Sequence, residues 1–130
     1  MPAFMKEQLI SRIAVIILAI VLIVFGFYHF RQPRVMITFV PNFLPGGITW
    51  VYVVGVAFIL AGIAFILHKW VKLAGYLLAL LLVCFVLFIH LPNYLHSGDV
   101  NEQRLSLMNL LKDSAIAAFA MYIASNSQKI

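Results

Sequence analysis

Residues 13–28 read IAVIILAIVLIVFGFY, a run whose only polar side-chain group is the tyrosine hydroxyl. Leu9 and Ile10 extend it beyond Ser11 and Arg12. A helix rises 1.5 Å per residue and a bilayer's hydrocarbon core is about 30 Å thick, so about twenty such residues cross it. Lys6 and Arg12 give the run a basic flank like that of a secretory signal peptide. The run has no small-residue cleavage site and ends in Phe27-Tyr28-His29-Phe30-Arg31, which favours a retained helix.

The rest of the chain repeats the pattern. Residues 48–67 are apolar apart from Thr49 and follow Pro45-Gly46-Gly47, a helix-breaking tripeptide. Residues 73–89 form a third run, extended by Val71 and Leu91, and Pro92 is expected to end it. Residues 105–124 are mostly apolar but contain Asn109, Lys112, Asp113 and Ser114. A tilted membrane helix fits them, with lysine snorkelling and Asp113 paired inside the bundle. An amphipathic helix on a water-facing surface is the competing reading. The runs are continuous rather than alternating, which argues against strands.

Composition agrees. The 130 residues are 65% hydrophobic and 10% charged, against nearer half and a quarter in soluble domains. A soluble chain this short buries only about two-thirds of its unfolded surface and has no place for so many apolar side chains. Soluble enzyme, disordered chain and disulfide scaffold are excluded together. The single cysteine, Cys84, lies within an apolar run and cannot form an internal disulfide. The net charge of +5 is spread over loops rather than gathered in a stripe, so it points to membrane orientation and not to nucleic acid.

The expected fold is therefore all-α: an integral membrane four-helix bundle, up-down-up-down, a single transmembrane domain over residues 1–130. Its helices lie near 9–30, 48–67, 71–91 and 105–124, with outer loops at 32–47 and 92–104. Lys6, Arg12, Lys69, Lys72 and Lys129 fall on one side with Glu7. Arg31, Arg34, Arg104 and Lys112 fall on the other with Asp99, Glu102 and Asp113. This predicts both termini on the cytoplasmic side of the plasma (inner) membrane. The loop at 32–47 is itself partly apolar and is expected to lie along the membrane surface or fold over the helix ends.

No metal-ligand spacing, phosphate loop or nucleophilic triad is present. The functional lead is positional. His29 at the end of the first helix, His90 near the end of the third, and Lys112 and Asp113 in the fourth all belong to the outer side. Lys112 and Asp113 are adjacent, so they point about 100° apart on a helix and need not pair. His29, His90 and Arg31 are candidate partners for Asp113. A structural ion pair and a ligand site both fit. A quinone needs an apolar slot with donors for its carbonyls, and His29, His90, Lys112 and Tyr28 can supply donors. Two histidines on different helices can also ligate a haem axially, provided that they face each other. His68, Trp50 and Trp70 read as interfacial. Small residues Ser114, Ala117, Ala118, Ala120 and Ala124, with Gly55, Ala57, Ala61 and Gly62, offer close-packing faces for helix contact or self-association.

Several pieces, in order, resemble the DoxX-like family of small four-helix membrane proteins. They are Gly26-Phe27-Tyr28-His29-Phe30, Phe39-Val40-Pro41-Asn42-Phe43-Leu44-Pro45, Trp50 with Gly55 and Gly62, His90-Leu91-Pro92-Asn93, and Asn109-Leu110-Leu111-Lys112-Asp113. The resemblance spans nearly the whole chain. It implies that the family's characteristic positions fall on His29, Pro45, His90, Asn93, Lys112 and Asp113. The chain departs from it at Pro41-Asn42, where relatives often have two prolines, and at Ala117-Ala118, where they often have glycines. Some relatives are associated with thiosulfate:quinone oxidoreduction and others with membrane complexes handling oxidative or thiol stress. The expected function is a redox-associated membrane subunit binding quinone or a similar small apolar ligand. A scaffolding subunit and a small oligomeric transporter or channel are the alternatives. The partners this implies are membrane lipid and either a redox protein or a second copy of the chain.

Overall fold

The computed structural model describes residues 3–36 and 45–128. Their order is α1 (Ala3–Arg31), α2 (Pro33–Met36), α3 (Ile48–Leu67), α4 (Val71–Phe85), a π-turn (Val86–His90), α5 (Leu91–His96) and α6 (Val100–Ser125). The segment from α4 through α5 is one continuous span, so four helices are long and apolar enough to cross a membrane. The all-α four-helix expectation holds. Large apolar side chains face outward at mid-helix on all four spans, Ile17, Leu60, Leu80 and Leu111 among them. Lipid accommodates such a surface and water does not.

The four helices pack as two antiparallel pairs. In the first, α1 lies along α3 with backbone nearly touching backbone. A β-carbon on Gly26 would stand 2.6 Å from the Gly55 carbonyl oxygen, and one on Gly62 2.8 Å from that of Ala19. In the second, α4 lies along α6, where a β-carbon on Gly75 would stand 2.9 Å from the Ala120 carbonyl oxygen. Without a hydrophobic drive between helices in lipid, small residues gain attraction by letting main chains approach. Ala117, Ala120 and Ala124 are buried in this second contact, while Ser114 and Ala118 face outward. Much of the small-residue surface expected to serve self-association is therefore used within the chain.

The pairs meet at the end carrying the α3–α4 turn, called here the turn end. Leu18, Ala19, Leu22, Phe58, Phe65, Leu78, Leu82, Ala117 and Ala120 belong to one core cluster. Arg12 reaches from α1 to the carbonyl oxygens of Phe65 and Ile66 at the C-terminus of α3. A cation there satisfies orphan acceptors and opposes the negative end of the helix dipole. The helix closes in a Schellman motif: Lys69 N–H donates to the Ala64 carbonyl oxygen and His68 N–H to that of Phe65. His68 occupies the left-handed position, φ 57°, where glycine is usual, and Trp70 follows at φ 58°.

Three helix boundaries depart from expectation. The first helix begins at Ala3 rather than near residue 9. Pro92 does not end the third span, which runs on to His96. The π-turn before it explains why. Leu91 N–H donates to the Val86 carbonyl oxygen, five residues back, and this wider turn accommodates a residue that lacks an amide hydrogen. The expected loop at 92–104 shrinks to residues 97–99, because α6 starts at Val100. Asp99 caps it, its Oδ1 accepting from Asn101 N–H at 3.0 Å. In the expected loop at 32–47, residues 33–36 are helical and Pro45–Gly47 form a turn, whereas residues 37–44 lie outside the described residues.

Candidate functional site

At the end opposite the α3–α4 turn, the helix pairs diverge and leave a cavity of about 690 Å³. Phe25 of α1, Val54 and Phe58 of α3, Phe85 of α4, Phe88 of the π-turn and Ile116 of α6 form apolar walls. Phe58 and Phe85 meet edge to face across the cavity's inner end, ring centres 6.4 Å apart. A cavity of this size suits a small organic ligand, and a mainly apolar wall with a few convergent polar groups is the usual composition of such sites.

The polar groups are concentrated. Asp113, 5% exposed, projects from the middle of α6, and His90, 7% exposed, faces it from the π-turn. His90 Nε2–H donates to Asp113 Oδ2 at 2.8 Å. The π-turn makes this possible. Buried positions on α4 run Val71, Gly75, Leu78, Ala79 and Leu82, and continuing that spacing on an unbroken α-helix brings residue 89 inward. The extra residue in the π-turn sets the helix back by roughly one residue's rotation, about 100°, so His90 takes the inward place.

Lys112 lies beside this pair. Its Nζ is 3.7 Å from Asp113 Oδ1 and donates to Asn109 Oδ1 at 3.4 Å. It also stands 4.8 Å above the centre of the Phe25 ring, a cation–π contact joining α6 to α1. The 100° separation of neighbouring helix positions is thus overcome by the four-carbon stem of lysine. His29 takes a different part. Its Nδ1 donates to the Phe25 carbonyl oxygen one turn earlier at 2.7 Å, and its ring meets Phe58 edge-on at 5.4 Å. Of the three candidate partners for Asp113, only His90 reaches it from another helix.

All four sequence-selected residues, His29, His90, Lys112 and Asp113, line the one cavity. Others do not. Tyr28 is exposed and lies outside the lining. His96 is exposed at the end of α5, and His68 belongs to the opposite end of the bundle. Asn93 is exposed and contributes only its carbonyl oxygen, to Ser97 N–H. Pro45 accepts the indole N–H of Trp50, which turns Trp50 into a lining residue as well as an interfacial one. Asn109 was not singled out as a site residue. It stands four positions before Asp113, a spacing that places both on one helix face.

The histidine nitrogens constrain a haem. His90 Nε2 is engaged by Asp113 and His29 Nδ1 by a carbonyl, so neither of these two nitrogens would reach an iron without giving up its hydrogen bond. Among the described residues there is no cluster of three or more His, Cys, Asp or Glu side chains able to hold a metal ion.

Residues 18–108 match the family described as "Domain of unknown function (DUF8561)". No curated protein and no solved structure matches the chain.

Proposed function

This chain belongs to the DUF8561 family, which carries no described activity, and we propose that it is a redox-associated membrane subunit whose cavity binds a quinone or a similar small apolar ligand. The supporting observation is the cavity itself: aromatic and aliphatic walls between two helix pairs, with His29, Asn109, Lys112 and Asp113 gathered on its surface. Apolar walls accept a ring and tail. Lys112 and the Asn109 amide offer donors to a ring oxygen. The DoxX-like resemblance, carried by the segments around His29, His90 and Asp113, supports the same reading. The distribution of Lys and Arg supports a plasma-membrane orientation with both termini cytoplasmic and the cavity toward the opposite face.

The test is purification in mild detergent, followed by an absorption spectrum, lipid extraction with mass spectrometry, and titration with a short-chain benzoquinone. A co-purifying quinone or saturable binding of the added one is expected. Ile116→Trp, which places a large ring in the cavity, should weaken that binding at least tenfold. No quinone or quinol on extraction and no binding of either redox form on addition would sink the proposal.

A scaffolding role is the second reading, and the His90–Asp113 hydrogen bond favours it. That bond is complete without any ligand, and it joins the third and fourth spans as a lock would.

A further inference from the structure

The hydrogen-bonding parity of the cavity wall carries an inference that rests on the proposed ligand class and narrows it. A carbonyl oxygen can only accept, so the 2.7 Å contact between His29 Nδ1 and the Phe25 carbonyl requires the proton to be on Nδ1. In a neutral ring the remaining nitrogen, Nε2, is then an acceptor, and among the described residues it has no hydrogen-bonding partner. The edge-on contact with Phe58 and the backbone bond hold the ring at this tautomer and orientation. His29 therefore contributes a lone pair to the cavity and no proton.

The opposite wall is mixed. Asp113 Oδ2 is occupied by His90 Nε2–H. Its Oδ1 is 3.7 Å from Lys112 Nζ, too far for a hydrogen bond, and so keeps accepting capacity. Asn109 Oδ1 accepts from Lys112, which leaves the amide nitrogen of Asn109 as a donor. Among the described residues, the cavity is thus offered acceptors by α1 and α6, His29 Nε2 and Asp113 Oδ1, and donors by α6, Lys112 Nζ and Asn109 Nδ2.

We infer that the site selects the dihydroxy form of its ring ligand, the quinol, over the dione. A quinol hydroxyl donates to His29 Nε2 or Asp113 Oδ1 and still accepts from Lys112 or Asn109. A quinone has only acceptor oxygens. It satisfies the donors but sets its carbonyl lone pairs against those of His29 and Asp113, in an apolar cavity where a mismatched acceptor is costly.

The experiment measures both redox forms of decylbenzoquinone on the purified full chain in detergent. The quinol is generated and held by excess dithionite, and the dione is measured without reductant. Trp50 lines the cavity, and a Trp70→Phe background leaves it as the only tryptophan, so its fluorescence reports occupancy. The quinol is expected to bind at least tenfold more tightly than the quinone. For a two-electron couple this raises the midpoint potential of the bound ligand by about 30 mV. His29→Phe keeps the ring contact with Phe58 but removes the acceptor, and should bring the two affinities to within about threefold, mainly by loss of quinol affinity. His29→Gln serves the same purpose where the Phe variant fails to fold. Equal affinities in the wild-type chain, or tighter quinone binding, would overturn the inference and leave the ligand-binding proposal standing. Binding of neither form would overturn both.

Discussion

The two ends of this bundle solve the same packing problem in opposite ways. At the turn end, Gly62 and Gly75 let helices approach until backbone meets backbone. Phe65, fully buried, fills the space between the pairs, and Arg12 ties α1 to the end of α3. At the other end the α1–α3 pair is just as close, through Gly26 and Gly55, yet the two pairs stand apart around a cavity. Contact between them there depends on Phe58 against Phe85 and Lys112 over Phe25, while the His90–Asp113 hydrogen bond joins the third and fourth spans within their own pair. Packing closes one end, and a few directional contacts span the other. Small residues make an interface that cannot admit a guest. Large rings meeting at their edges make one that can.

The contrast can be broken first at the polar pair. Asp113→Leu or His90→Leu removes one partner of a buried pair and should cost about 3 kcal/mol in detergent unfolding. The double variant should recover much of that loss, because two apolar side chains replace two desolvated polar ones. If the singles were nearly neutral, the third and fourth spans would be held together there by something other than this bond. If the double variant folds stably yet binds no quinone, the pair serves the ligand as well as the fold.

The next test adds equal bulk at each end. Gly75→Ala places a methyl group 2.8 Å from the Ala124 β-carbon and 2.9 Å from the Ala120 carbonyl oxygen, and should destabilise by about 2 kcal/mol. Val54→Leu, one methylene larger and facing the cavity, should change stability by less than about 0.5 kcal/mol, since open space receives it. Equal effects would erase the distinction between a closed and an open end. A smaller loss than at Gly75 is expected at Arg12→Gln, which removes charge-assisted bonds to the Phe65 and Ile66 carbonyl oxygens and should lower stability by about 1 kcal/mol. Thermal unfolding followed by circular dichroism reads it.

The sequence carried unequal signals for these features. The first three spans were legible because the apolar runs at 13–28, 48–67 and 73–89 are long and nearly uninterrupted, and the fourth because residues 105–124 stay mostly apolar around Asn109, Lys112, Asp113 and Ser114. The start of α6 was missed, although Asp99 followed three residues later by Glu102 is a recognisable N-terminal signature. Residues 101–104 are all polar, so the apolar pattern that marks a span begins only at Leu105. Pro92 was read as a terminator because a proline normally removes an α-helical hydrogen bond. A π-turn just upstream changes that, and nothing local in Val86–His90 announces one. His29, His90, Lys112 and Asp113 were chosen for lying at a common depth, and they do share a cavity. The separation of their roles, with His90 bonded to Asp113 and His29 bonded to its own backbone, was not visible.

By itself the sequence determined that the chain forms helices in a membrane, roughly where they lie, and which polar residues fall at one level of the bundle. Each of these follows from local quantities: the apolar character of a run, its length against the thickness of the hydrocarbon core, and the alternation of direction from span to span. The tertiary structure decided which side chains meet. That depends on the rotation of each helix about its axis, and here the rotation is set by glycines packed against residues dozens of positions away and by one extra residue in the π-turn. The cavity is a product of the same geometry. It exists because the two helix pairs meet at the turn end through side chains such as Phe65 and Leu78 and stand apart at the other end around a ring-lined space, a difference no single stretch of the chain contains.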